Sequence, residues 1–134
     1  MALCRALKGN TKLRKLNLRQ NEIGIRGGRE LGEMLSSPNL CLQKLNISWN
    51  CIKGQGSAAL CSGLGENKFL QRLDASWNYF REDSALELGN ALARNKSLLH
   101  INLEHCGVND VAAVSLSVVE SFTDIHLISQ RPRY

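Results

Sequence analysis

The chain has 134 residues, of which 43% are hydrophobic and 5% aromatic, and its formal net charge is +5. This length suits one domain, and so few aromatic rings favour a core of layered aliphatic side chains over one aromatic cluster. No long uncharged apolar run occurs, so the sequence predicts neither a transmembrane span nor a signal peptide. These observations argue against a membrane protein and favour a cytoplasmic one.

The cysteine content also favours a cytoplasmic protein. The five cysteines are an odd number and include no C-x-x-C pair. This pattern gives no support to a zinc or redox motif and favours reduced thiols, so we expect no metal and no cofactor. Two N-glycosylation sequons, at Asn46 and Asn95, are interpreted as chance matches in an intracellular protein.

The positive charge is concentrated near the N-terminus. Residues 1–30 carry eight basic and two acidic side chains, whereas the remainder carries nine basic and ten acidic ones. This asymmetry favours an acidic partner near the first residues, and its alternative interpretation is a solvated face with no partner.

One segment recurs four times along the chain. Its first leucines are Leu13, Leu42, Leu70 and Leu98. The segments follow the pattern L-x-x-L-x-L-x-x-N/C-x-L, which is the signature of leucine-rich repeats. The sequence therefore predicts a repeat array over residues 1–122, with a half repeat at 1–12 and full repeats that start at the four leucines. Residues 123–134 lack repeat character and are expected to form an irregular tail, whose first residues could begin a fifth strand.

Each full repeat contains a predicted strand followed by a predicted helix. Side chains alternate along a strand, so Leu16 and Leu18 are expected in the core while the residues between and beside them point outward. Apolar residues four apart then predict a helix in each repeat. These helical pairs are Leu31 and Leu35, Leu60 and Leu64, and Leu88 and Leu92, with the valines from Val111 to Val119 in the fourth repeat. Leu3 and Leu7 predict a short helix in the half repeat.

A polar residue recurs at the turn after each strand. The residues at this position are Asn21, Asn50, Asn78 and Cys106. An amide here can bond backbone groups that the turn leaves unpaired, in its own repeat and in its neighbour. We predict a structural ladder that holds the repeats together.

Residues 1–122 resemble the ribonuclease-inhibitor-like class of leucine-rich repeats. The resemblance rests on the repeat length of 28 to 29 residues, the helical second half of each repeat, and the Ser-Trp-Asn sequences at Ser48–Asn50 and Ser76–Asn78. It implies an α/β solenoid, a segment of a curved horseshoe with parallel strands on its concave face and helices on its convex face. It also implies that protein ligands are held inside the curve.

On such a concave face, equivalent positions of neighbouring repeats form rows that cross the strands at steps of about 4.8 Å. In order along the strand, the rows are Lys15/Lys44/Arg72/His100, Asn17/Asn46/Asp74/Asn102, Arg19/Ser48/Ser76/Glu104 and Gln20/Trp49/Trp77/His105. The predicted partner-binding residues are Trp49, Trp77, Lys15, Lys44, Arg72, Arg19, Asp74, His100, Glu104 and His105. The two tryptophans are expected either to anchor a partner or to pack over the turn at the end of the strand.

These rows predict a protein–protein interaction module whose partner has an acidic surface. The alternative is a regulator of a small GTPase, such as an activating protein that acts through Arg19 or Arg81. Inhibition of a ribonuclease is disfavoured, because the ribonuclease inhibitor meets basic enzymes with an acidic surface. Nucleic acid is disfavoured as well, since no known motif occurs and Asp74 and Glu104 interrupt the basic face.

Catalysis is not expected. The one cluster of reactive side chains is Glu104, His105 and Cys106 with His100 nearby. Successive strand residues face opposite ways, so His105 and Cys106 are not expected to form a nucleophile–base pair. His100 and His105 are about 16 Å apart in an extended chain, too far to share a metal ion. We also expect self-association through the two exposed ends of the array, where no capping sequence is recognisable.

Overall fold

The computed structural model describes residues 2–107 and 124–126, with the backbone alone at 82–83 and 124–126. Helices and strands alternate along the described chain. They are α1 (Ala2–Lys8), β1 (Lys15–Asn17), α2 (Gly24–Leu35), β2 (Lys44–Asn46), α3 (Gly54–Glu66), β3 (Arg72–Asp74), α4 (Arg81–Arg94), β4 (His100–Asn102) and β5 (Asp124–His126).

The strands form one parallel sheet in the order β1-β2-β3-β4-β5. Neighbouring parallel strands need a crossover connection, and a helix in each repeat supplies it. The register places equivalent residues opposite one another, so that Lys44 lies between Lys15 and Arg72. The predicted α/β solenoid is confirmed.

The core lies between the sheet and the helices and consists of aliphatic layers. Each interior repeat contributes its strand leucines and its helical pair, which are buried. In the second and third repeats these include Leu42, Leu45, Ile47, Leu60, Leu64, Leu70, Leu73, Leu88 and Leu92. The equivalent Leu13, Leu16 and Leu18 of the first repeat are only partly buried, since α1 covers that layer without a strand of its own. Interior layers therefore contribute more apolar burial than the first layer.

Glycines allow α2 and α3 to pack with their backbones in contact. A Cβ at Gly28 would lie 2.9 Å from the backbone of Gly56, and one at Gly63 would collide with the carbonyl of Gly32. A residue without a side chain is needed where two backbones approach this closely. Helix packing on this side of the sheet thus depends on small residues that the leucine pattern does not reveal.

Of the elements predicted near the C-terminus, the structure describes the possible fifth strand, β5. β5 pairs in parallel with β4, and Asp124 lies opposite His100. The helix predicted between Val111 and Val119 lies outside the described residues. Within the described part of the chain, no helix has the length and apolar character needed to cross a membrane.

Candidate functional site

The sheet face, which is the side of the sheet away from the helices, presents a row of positive charges. Lys15, Lys44 and Arg72 occupy matching positions at the start of β1, β2 and β3, and all three are exposed. We call these three residues the basic column. Adjacent strands lie about 4.8 Å apart, so the column brings three cations together on one edge of the sheet face. His100 continues the row and is half-buried.

A groove of about 420 Å³ runs across the sheet face beside the basic column. The lining residues are Lys15, Leu16, Asn17, Lys44, Leu45, Asn46, Arg72, Leu73, Asp74, His100 and Asn102. The groove therefore brings together five of the predicted binding residues, the basic column with Asp74 and His100. The predicted residues Arg19, Trp49, Trp77, Glu104 and His105 lie outside its lining.

The second row is already engaged in holding the backbone. The Oδ1 atoms of Asn46 and Asp74 each accept bonds from the backbone N–H and hydroxyl of the serine two residues later, at 2.6 to 3.0 Å. The Oδ1 atoms of Asn17 and Asn102 likewise accept from the backbone N–H two residues on. Since these oxygens fix the ends of the strands, the cations of the basic column are the groups best placed to attract a ligand.

Only part of the third row faces outward as side-chain alternation predicts. Ser48 and Ser76 are buried, with exposed fractions of 2% and 7%, and their hydroxyls bond the second row. Arg19 is exposed and Glu104 is half-buried. The chain leaves regular strand geometry here, because the next residue of each repeat has a positive φ.

The fourth row forms a stack of aromatic rings. The ring centroids of Trp49 and Trp77 are 4.2 Å apart with planes inclined by 13°, and those of Trp77 and His105 are 3.9 Å apart at 19°. All three residues have φ between 55° and 57°, a left-handed conformation that turns their side chains the same way. We call Trp49, Trp77 and His105 the stacked rings.

The stacked rings pack between repeats and are also partly exposed. Trp77 packs between Trp49 of the preceding repeat and His105 of the following one, and aromatic pairs of this kind contribute about 0.5–1.5 kcal/mol beyond their buried area. Trp49 and Trp77 are nevertheless 41% and 42% exposed, so their edges remain open to a partner.

The asparagines after the strands connect each repeat to the next. Nδ2 of Asn78 lies 3.0 Å from the carbonyl oxygens of Ile47 and Ala75, and its Oδ1 accepts from the backbone N–H groups of Asn50 and Ile52. Asn50 makes the equivalent bonds one repeat earlier, to Leu18 and Ile47 and from Asn21.

Cys106 occupies this place in the fourth repeat. Its thiol donates to the carbonyl of Ala75 at 2.9 Å. Burial raises the pKa of the Cys106 thiol to about 12, so the group stays protonated at neutral pH. Burial also raises the pKa of Cys61. These thiols are poor nucleophiles, and among the described residues no three His, Cys, Asp or Glu side chains are grouped to hold a metal.

A second row of asparagines was missed by the sequence reasoning. Asn10, Asn67 and Asn95 follow helices, and each accepts backbone bonds from the residues two and three positions later. Nδ2 of Asn67 and Asn95 also donates to carbonyls of the preceding repeat. The signal was present, because each of these asparagines precedes the first leucine of its repeat by three residues.

Charged side chains on the helix side of the molecule form ion pairs with one another. Lys8 bonds Glu33 at 3.2 Å, and Arg94 bonds Glu66 at 2.9 Å, each between successive helices. No ion pair to the basic column occurs among the residues that the structure describes. Arg19 and Arg81, the arginines considered for action on a GTPase, lie apart from the groove lining, and the Arg81 guanidinium is 6.0 Å from the ring centroid of Tyr79.

Comparison with known proteins establishes the family. A profile described as leucine-rich repeat matches residues 9–32, 39–61 and 94–117, which together are more than half of the chain. The chain belongs to the leucine-rich repeat family. Leucine-rich repeats are built in this way from strand-and-helix units that bury a shared core by stacking. Membership in the ribonuclease-inhibitor-like class stays a prediction.

One solved structure shows how well the repeats superpose. The C-terminal domain of tropomodulin from Caenorhabditis elegans is similar over 96% of this chain and 83% of that one, with a TM-score of 0.76 and 15% sequence identity. At this identity the likeness shows a shared leucine-rich repeat fold. No curated protein matches the chain.

Proposed function

We propose that this leucine-rich repeat chain is a protein–protein interaction module whose sheet face binds an acidic surface of a protein partner. Leucine-rich repeat domains in general bind protein partners. The observation that carries the proposal is the basic column, three exposed cations in register along the edge of one groove.

The repulsion between the cations of the basic column and their attraction to acidic groups both support a binding role. Like charges in adjacent strands on the same face repel one another, so this row does not stabilise the sheet. Exposed cations opposite acidic groups of a partner accelerate association and select against basic surfaces, and salt weakens the effect. Asp74 lies in the same groove and would repel a partner that is acidic over its whole surface.

Comparative affinity capture tests the proposal. The parent chain is compared with Lys15→Glu/Lys44→Glu/Arg72→Glu, which reverses the basic column. The matched control reverses three exposed basic residues away from the groove, Arg29, Lys68 and Lys96, and therefore changes the net charge equally.

Proteins that bind the parent and the control, but not the column variant, are the expected result, and their capture should weaken as salt rises. Capture of the same proteins by all three chains would reject the sheet face as the binding site.

A further inference from the structure

We infer that the element of the partner recognised on the sheet face is an amphipathic helix, laid across the strands with its acidic edge over the basic column and its apolar edge against Trp49 and Trp77. This inference rests on the proposed function and adds the shape and orientation of the occupant.

The first support is that two rows of side chains, or tracks, cross the same repeats. The basic column is one track, and the exposed edges of Trp49 and Trp77 are the other. The inter-repeat backbone bonds continue past the strands, from Ile47 to Asp74 and from Trp49 to Ser76. The stacked rings therefore lie just beyond the carboxyl ends of the strands, where the backbones of neighbouring repeats are still bonded to one another, as far as Tyr79 and Ile52.

The second support is the separation of the tracks. Lys44 and Trp49 are five residues apart, which is at most about 17 Å of extended chain, and the turn at Trp49 shortens it. A helix with its side chains is about 10–12 Å across. With the turn shortening this distance, a helix has a width that can contact both tracks, and a single extended strand is narrower.

The third support is the step along the tracks. The basic column advances about 4.8 Å per strand, hence about 9.6 Å from Lys15 to Arg72. Helix residues at i, i+3 and i+7 lie on one face and span about 10.5 Å. Three successive residues on one side of an extended strand span about 13 Å. This is longer than the basic column, so three such residues do not match its three cations.

The chemistry of the two tracks supplies the fourth support. The acidic edge of the helix complements the charge of the basic column. Its apolar edge covers the indole rings of Trp49 and Trp77, which are 41% and 42% exposed. Asp74 lies between the tracks and disfavours acidic residues in the middle of the occupant. The acids are therefore confined to one edge of the helix.

Fluorescence anisotropy with synthetic peptides tests this inference. The probe is a labelled peptide of about five helical turns, with Glu at i, i+3 and i+7 on one edge and Leu and Phe on the adjoining edge. A second peptide has the same composition with two central prolines, which prevent a helix. Both are titrated with the parent, the column variant, its matched control, and Trp49→Phe/Trp77→Phe and Trp49→Ala/Trp77→Ala.

The helical peptide should bind the parent at least about tenfold more tightly than the proline peptide, with a gain in helical circular dichroism. Column reversal and the alanine pair should each weaken binding about tenfold, while the control and the phenylalanine pair retain most of it. Thermal unfolding of each variant checks that the fold is kept.

Equal binding of the two peptides would overturn the helical occupant and leave the acidic-partner proposal intact. Failure of the helical peptide to bind the parent would also overturn it, while capture that depends on the basic column would still support the proposed function.

Discussion

Two kinds of repeating row run across this molecule, and they differ in almost every physical respect. Asn50 and Asn78 are buried, and their side chains bond the backbones of two repeats. Lys15, Lys44 and Arg72 recur just as regularly, yet they are exposed and form no ion pair within the described residues. Regular recurrence therefore has two meanings in a repeat protein: a buried row stabilises the stack, and an exposed row of one charge offers a surface.

The largest effect should come from breaking the buried row. Asn78→Ala removes bonds to Ile47 and Ala75 and leaves the N–H groups of Asn50 and Ile52 without their acceptor. Unpaired buried groups cost about 1–3 kcal/mol each, so we expect a loss of about 3 kcal/mol in unfolding free energy. Urea denaturation measures it.

The matched control for this variant is Asn21→Ala, since Asn21 is the exposed member of the same row. Its loss should be below about 1 kcal/mol. Equal losses for the two variants would show that burial does not decide the contribution of the row.

A somewhat smaller effect should follow from separating α2 and α3. Gly63→Ala drives a methyl group against the carbonyl of Gly32, and backbone cannot move aside as a side chain can. Overpacking of this kind costs about 2 kcal/mol. Gly9→Ala is the control, because a Cβ there meets nothing within 4 Å. Thermal melting that treats the two variants alike would contradict the close packing of the helices.

The buried thiol in the fourth repeat should make stability depend on high pH. The Cys106 pKa of about 12 exceeds the ordinary 9.0, so the thiol's contribution is complete below pH 9 and is lost as pH rises towards 12. At pH 10 the unfolded thiol is mostly ionised and the folded thiol is not, so the loss of unfolding free energy is about 1.4 kcal/mol.

Cys106→Ala isolates this contribution from other groups that titrate at high pH. The difference in unfolding free energy between the parent and this variant should shrink from pH 8 to pH 10 in urea titrations. A difference that stays constant would mean that the folded thiol ionises as readily as the unfolded one.

Much of this architecture could be predicted from the sequence, because a constant repeat length fixes the register. The positions of Leu45 and Lys44 follow from the period and from side-chain alternation. Alternation fails after the strand, however, where the positive φ at Trp49 breaks the period of two. The burial of Ser48 could not be inferred for that reason.

The close contacts between neighbouring helices could not be predicted from the leucine pattern either. A glycine such as Gly28 has no side chain to signal its neighbour, and its closeness to Gly56 depends on how the helices pack. The leucine period places both glycines in helices but does not say how near their backbones come.

The basic column should contribute little to stability and much to binding, and this contrast is the most direct test. Lys15→Glu/Lys44→Glu/Arg72→Glu should be measured for both unfolding free energy and partner capture. Because these side chains are exposed, we predict a stability change within about 0.5 kcal/mol per substitution together with loss of the bound protein. Retained capture by the folded variant, or a stability loss as large as that of Asn78→Ala, would contradict the account.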